Sequence, residues 1–144
     1  MIRAEKAMLP FEKKHQKLMK KAEKLDKKTN LYQKHFLAGD QHYKEGAYEK
    51  AIKEWKTAKK IYVGAGYPYK QLPKAYRKLA TSNFKQGRYK VALKWYRELE
   101  SLVKEAKQLV KKGKALSAVL WNLKLGPRDE EQMKAIYLKL GIQK

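Results

Sequence analysis

Few residues of this chain have the types and spacing that chemistry requires. His15, His35 and His42 are its only histidines, and His35 and His42 lie seven apart, where one helix would carry both on a single face. A metal site built on them would need further carboxylate or thiolate ligands at matching spacing. The chain has no cysteine and no HExxH. The histidines therefore read as partly buried packing residues. Gly64-Ala65-Gly66 has the glycines of a phosphate loop but lacks the following Lys-Ser/Thr and does not stand between a strand and a helix. It reads as a flexible connection, around which Tyr62, Tyr67 and Tyr69 either pack on the second hairpin, the favoured reading, or present rings to a ligand. Glu98 and Glu105 interleave with Lys94, Arg97 and Lys104, as on a solvated helix face, and form no acid/base pair. Asp129, Glu130 and Glu131 suit the positive end of a helix dipole. The expectation is a protein without catalysis, cofactor or metal.

The elements that carry these residues are written twice. HYKEGAYEKAIKEW at 42–55 returns 41 residues later as NFKQGRYKVALKWY at 83–96. Each copy reads as helix, glycine turn, helix. In the first, Thr29 and Asn30 are cap candidates for a helix over 31–45, Gly46 turns the chain, and a second helix covers 48–63. In the second, Pro73 opens a helix that runs to Gln86, Gly87 turns, and a helix continues to about Lys112. The stripes Tyr48, Ala51, Ile52, Trp55, Ala58 and Tyr89, Ala92, Leu93, Tyr96, Leu99 fall at helical spacing. Neither hairpin can cover its apolar face alone, so neighbours must stack. The extra length of the period falls in the connection 63–73 between the copies, and in part in longer helices.

Three regions follow within one domain. Residues 1–30 hold a basic amphipathic helix over 11–28, whose stripe of Phe11, His15, Leu18, Ala22 and Leu25 should pack on the first hairpin. Residues 31–113 hold the two hairpins. Residues 114–144 hold a capping pair, 114–125 and 129–140, broken at Gly126-Pro127 and closed by Gly141. The fold class is all-α.

Gly39, Tyr43, Gly46, Tyr48, Ala51, Trp55 and Ala58, followed by Ala80, Phe84, Gly87, Tyr89, Ala92 and Tyr96, resemble the tetratricopeptide-repeat pattern over about 31–102. The period of 41 departs from the family's usual ~34. The resemblance implies a short α-solenoid and a binding scaffold. It also implies that the first helix of each repeat lines a concave groove. Carried over, the groove residues are Gln33, Phe36, Leu37, Asp40 and Lys44, then Lys74, Arg77, Lys78, Thr81 and Lys85. The family's carboxylate clamp is not matched, since Phe36 and Asp40 stand at its key positions.

Charge names the class of partner. Thirty-six Lys and Arg against fourteen Asp and Glu leave a net +22, and 73–113 holds the largest share, twelve bases against three acids. Such an excess repels itself in a compact chain and is matched by a polyanion. Lys74, Arg77, Lys78 and Lys85 on one helix, Arg88, Lys90, Lys94 and Arg97 on the next, and Lys13, Lys17, Lys20 and Lys24 on the N-terminal helix are the candidate contacts. Five arginines in the whole chain leave lysine to act as a point charge for phosphates. The expected partner is RNA or a ribonucleoprotein such as a ribosomal particle, met through its backbone. Two alternatives are an acidic protein segment held in the groove and, more weakly, anionic lipid under the N-terminal helix. The longest low-polarity stretch, 115–123, is far below the ~20 residues of a membrane span, and no signal peptide is visible, so a soluble cytoplasmic protein is expected.

Overall fold

A computed structural model describes residues 10–115, 117–120 and 123–142. Five α-helices account for nearly all of them: α1 (Pro10–Lys44), α2 (Tyr48–Ile61), α3 (Gly66–Lys85), α4 (Tyr89–Lys111) and α5 (Pro127–Leu140). A 3-10 turn at Ser117–Leu120 lies before α5, and among the described residues there is no strand. α1 with α2 and α3 with α4 form antiparallel hairpins, α2 packs on α3, and α5 packs on α4.

The sequence repeat is a structural repeat down to single hydrogen bonds. After α1, Gly46 N–H donates to Tyr43 O at 3.0 Å and Ala47 N–H to His42 O at 2.8 Å. After α3, Gly87 N–H donates to Phe84 O at 3.0 Å and Arg88 N–H to Asn83 O at 2.8 Å. The Ala47 and Arg88 bonds are i→i−5 and the glycine bonds i→i−3; together they close the last turn of each helix around a glycine in the left-handed region, φ +80° at Gly46 and +77° at Gly87, where a Cβ would be strained. Edge-on aromatic pairs staple both turns: Tyr43 on Tyr48 at 5.2 Å and Phe84 on Tyr89 at 5.6 Å. Ala51 and Ala92 are fully buried behind them, small enough for close helix approach. Trp55, Leu72, Tyr76, Tyr96, Leu99, Met133 and Ile136 join one continuous buried cluster from α2 to α5.

Four expectations are corrected. First, α1 does not break at Thr29-Asn30. No glycine or proline interrupts it between Pro10 and Gly39, so helix propensity carries through, and the Thr29 hydroxyl meets the Tyr62 hydroxyl at 2.7 Å instead of capping. Second, α3, the helix expected to open at Pro73, begins at Gly66, so most of 63–73 is helix and not connection. Pro68 fits its first turn, while Pro73 lies inside the helix, buried beside Leu72, Ala75 and Tyr76. The long period is absorbed by a longer helix. Third, the described residues of 114–125 form no α-helix, only the 3-10 turn at Ser117–Leu120; residues 116, 121 and 122 lie outside the described residues. Gly113, at φ +71°, ends α4, and the chain crosses backbone to backbone over Gly64, where a Cβ would meet Lys114 O at 2.1 Å. It then buries Leu123. Only α5 of the expected capping pair is present, started at Gly126-Pro127 and closed at Gly141 with φ +66°. Fourth, Phe11, Leu18 and Leu25 do not pack on the first hairpin. The N-terminal half of α1 runs past the end of α2, and these side chains are 65%, 63% and 58% exposed, with His15 exposed among them.

Candidate anion-binding surface

Burial and charge are sorted by helix face. On α4, Lys90, Lys94, Arg97, Lys104 and Lys111 recur at steps of four, three and seven residues, so they share one face. All five are exposed, with the neutral Ser101 and Gln108 between them and Glu100 at the edge of the row. The row spans about 31 Å at 1.5 Å per residue. Lys94 also lies 4.7 Å over the ring of Trp95, which stacks on Tyr76 at 6.0 Å. Lys74, Lys78 and Lys85 are exposed on α3, and Arg88 is exposed at the turn that joins the two rows. On α1, Lys13, Lys17, Lys20 and Lys24 are exposed in the half that outruns α2. The spacing of Lys104 and Lys111 marked them as members of the α4 row; reading Lys104 as a neighbour of Glu105 hid this.

Arg77 stands apart from that set. Its guanidinium Nε lies 3.2 Å from each carboxylate oxygen of Asp129, and another of its nitrogens donates to Lys124 O at 3.0 Å. Asp129 is buried and also accepts from Gly126 N–H at 2.9 Å. This pair clamps α3 to the start of α5, so Arg77 is structural first.

Other acids are tied within the fold too, although their side chains stay partly exposed. Glu98 pairs with Lys56 at 3.4 Å and Glu105 with Lys59 at 2.8 Å, linking α4 to α2. Glu105 also accepts from the Tyr69 hydroxyl at 2.9 Å. They are interhelical ties where a solvated face was expected. Glu54 meets His35 at 2.6 Å. Burial first, then Glu105 at Tyr69 and Glu98 with Glu105 at Tyr76, raise both phenols well above their ordinary value, so both stay neutral.

The predicted groove residues divide. Gln33, Leu37 and Lys44 are exposed, and Thr81 is half-buried. Phe36 packs between Tyr32, at 5.1 Å, and Tyr67, at 4.8 Å. Asp40 is occupied from three sides: Trp55 Nε1 donates at 3.1 Å, the Tyr67 hydroxyl at 2.6 Å and Gln71 Nε2 at 3.3 Å. Burial and this bond push Tyr67 up to about 12. The Asp40–Tyr67–Gln71 link between α1 and α3 escaped sequence reading, because α3 begins earlier than the repeat alignment places it. Of the three tyrosines expected to pack on the second hairpin, Tyr69 reaches Glu105 on α4, whereas Tyr62 and Tyr67 set their rings against Tyr32 and Phe36 on α1 of the first hairpin.

No protein-family model, curated protein or solved structure matches this chain.

Proposed function

We propose that this chain is a non-enzymatic, tetratricopeptide-like adaptor that works in the cytoplasm and docks on RNA or a ribonucleoprotein through its lysine-bearing helix faces. One observation carries the reading. The carboxylates Asp40, Glu54, Glu98, Glu105 and Asp129 are held in contacts within the fold. Among the described Lys and Arg, only Lys56, Lys59 and Arg77 pair with a described carboxylate. Most of the described lysine charge is therefore left on the surface without a described carboxylate partner. Rows of lysine along helices, with steps of about 4.5–6 Å where they are three or four residues apart, suit a string of phosphates met as point charges. An acidic peptide in the groove is the weaker reading, because Asp40 sits there as a carboxylate and Arg77 is already engaged by Asp129.

The test is the salt dependence of binding to a labelled RNA hairpin. Log affinity should fall linearly with log salt, by about 0.7–0.9 for each phosphate neutralised. An affinity that stays flat from low to physiological salt would remove RNA as the partner.

A further inference from the structure

The exposed half of α1 continues an interface that the fold has already built. Thr29, Tyr32, Phe36, Gly39 and Tyr43 form the seam that α2 covers. The Thr29 and Tyr62 hydroxyls meet at 2.7 Å, and the Tyr32 and Tyr62 rings lie 5.2 Å apart. Trp55 Nε1 reaches Phe36 O at 3.3 Å, and the Tyr43 and Trp55 rings lie 5.7 Å apart. The steps along this seam are three, four, three, four, the spacing by which one helix meets another along its length. Towards the N-terminus the alternation runs on without a fault through Leu25, Ala22, Leu18, His15 and Phe11. α2 ends at Ile61, level with Thr29, so four more turns of the same seam lie open.

The edges of the seam say what fits. Lys14, Lys21 and Lys28 border one edge at seven-residue spacing, and Met19 and Asp26 border the other. Lys28 shows what that basic edge does where a helix is present: its ammonium lies 4.6 Å over the Tyr62 ring at the end of α2. We infer that the open half of α1 is a docking site for an amphipathic helix of a partner protein, running antiparallel to α1 on the track of α2. Acidic or aromatic side chains of that helix would face Lys14 and Lys21. A second copy of this chain fits poorly. Two such halves paired antiparallel would set Lys21 against Lys21 and Lys14 against Lys28, and residues 10–28 carry eight lysines against three acids. An anionic bilayer also fits poorly, since the seam is narrow and Asp26 lies at its border. The inference stands apart from the RNA reading, which uses the lysine faces and not this seam.

The probe is a labelled helical peptide with leucines at three-four spacing and glutamates along the edge that would meet Lys14 and Lys21. Binding to the full-length chain is followed by fluorescence anisotropy at physiological salt. Saturable binding is expected, at least tenfold weaker for Leu18→Gln/Leu25→Gln. These neutral changes are at exposed sites, and circular dichroism should be unchanged. A peptide with lysine in place of those glutamates should bind at least tenfold more weakly. Absence of binding, or equal binding by wild type and the Gln variant, overturns the proposal. So does equal binding of the two peptides. Sedimentation that reveals a dimer dissolved by the Gln changes would assign the seam to a second copy instead. Leucine-dependent binding to phosphatidylserine vesicles, without peptide binding, would assign it to lipid.

Discussion

Gly39 and Trp55 fit each other across α1 and α2 so closely that a Cβ on Gly39 would lie 2.4 Å from the indole. The equivalent pair in the second hairpin, 41 residues on, is Ala80 and Tyr96, both buried. Where the first hairpin has the larger ring and no side chain, the second has a smaller ring and a methyl group at the repeat-equivalent positions. The two positions have exchanged volume while the hairpin geometry stayed the same.

Gly39→Ala should therefore destabilise the chain by about 1–3 kcal/mol through overpacking, even though alanine gains up to ~1 kcal/mol of helix propensity over glycine. In a Trp55→Tyr background, which copies the second hairpin, the same change should cost less than half as much. Urea unfolding of the four variants gives the coupling directly. Equal costs in both backgrounds would mean that the ring and the methyl group do not meet.

Arg77→Ala should cost about 1–3 kcal/mol, because it leaves the buried carboxylate of Asp129 without its guanidinium and held by the Gly126 N–H. That is less than for a wholly buried pair, since the Arg77 side chain is 35% exposed. Arg77→Lys should recover only part of the loss, because an ammonium cannot span both Asp129 oxygens and the Lys124 carbonyl at once. Thermal unfolding distinguishes the three forms. Wild-type stability in Arg77→Ala would show that α5 does not depend on this clamp.

Alkaline pH should weaken the fold through its tyrosines. Tyr67 is raised from 10 to about 12 by burial, and next by its bond to Asp40. Between those values the unfolded chain releases a proton that the folded chain keeps. The stability present below pH 10 is thus lost as pH climbs towards 12. Tyr67→Phe should flatten this part of the profile, read as urea midpoints at pH 9 to 11.5. Parallel profiles for the two proteins would contradict the assignment. Tyr69, raised by burial and by Glu105, should act in the same sense.

What could be read from the sequence follows from the range of each interaction. Gly46 and Gly87 declare their turns because left-handed backbone selects glycine locally, and the alanines and rings beside them repeat at the same offsets. The start of α3 could not be read in this way. Pro73 is a fair first-turn residue on local grounds, and only its burial against neighbouring helices shows it to be interior. The fate of 114–125 was hidden for a similar reason, since the close crossing at Gly64 is a contact between residues fifty apart. Charge was read correctly as a sum, but not by site. That Arg77 serves Asp129 while Lys74 and Lys78 stay exposed is decided by α5, which no pattern within α3 reveals.

Charge reversal must therefore spare Arg77 if it is to report on binding alone. One variant reverses Lys74, Lys78 and Lys85 on α3; a second reverses Lys90, Lys94 and Arg97 on α4; a third reverses Lys13, Lys17, Lys20 and Lys24 on α1. All these side chains are exposed, and each variant should keep wild-type helicity. If RNA lies along several helices, all three should bind an RNA hairpin more weakly and with a shallower salt slope, because each lost phosphate contact removes a similar electrostatic contribution. If the ligand is an acidic protein segment in the groove, only the α3 variant should lose it, and the other two should change mainly the association rate. Wild-type affinity in all three would mean that these lysines do no more than solvate the surface. The two outcomes that retain binding differ in how many helices matter, and one titration series per variant separates them.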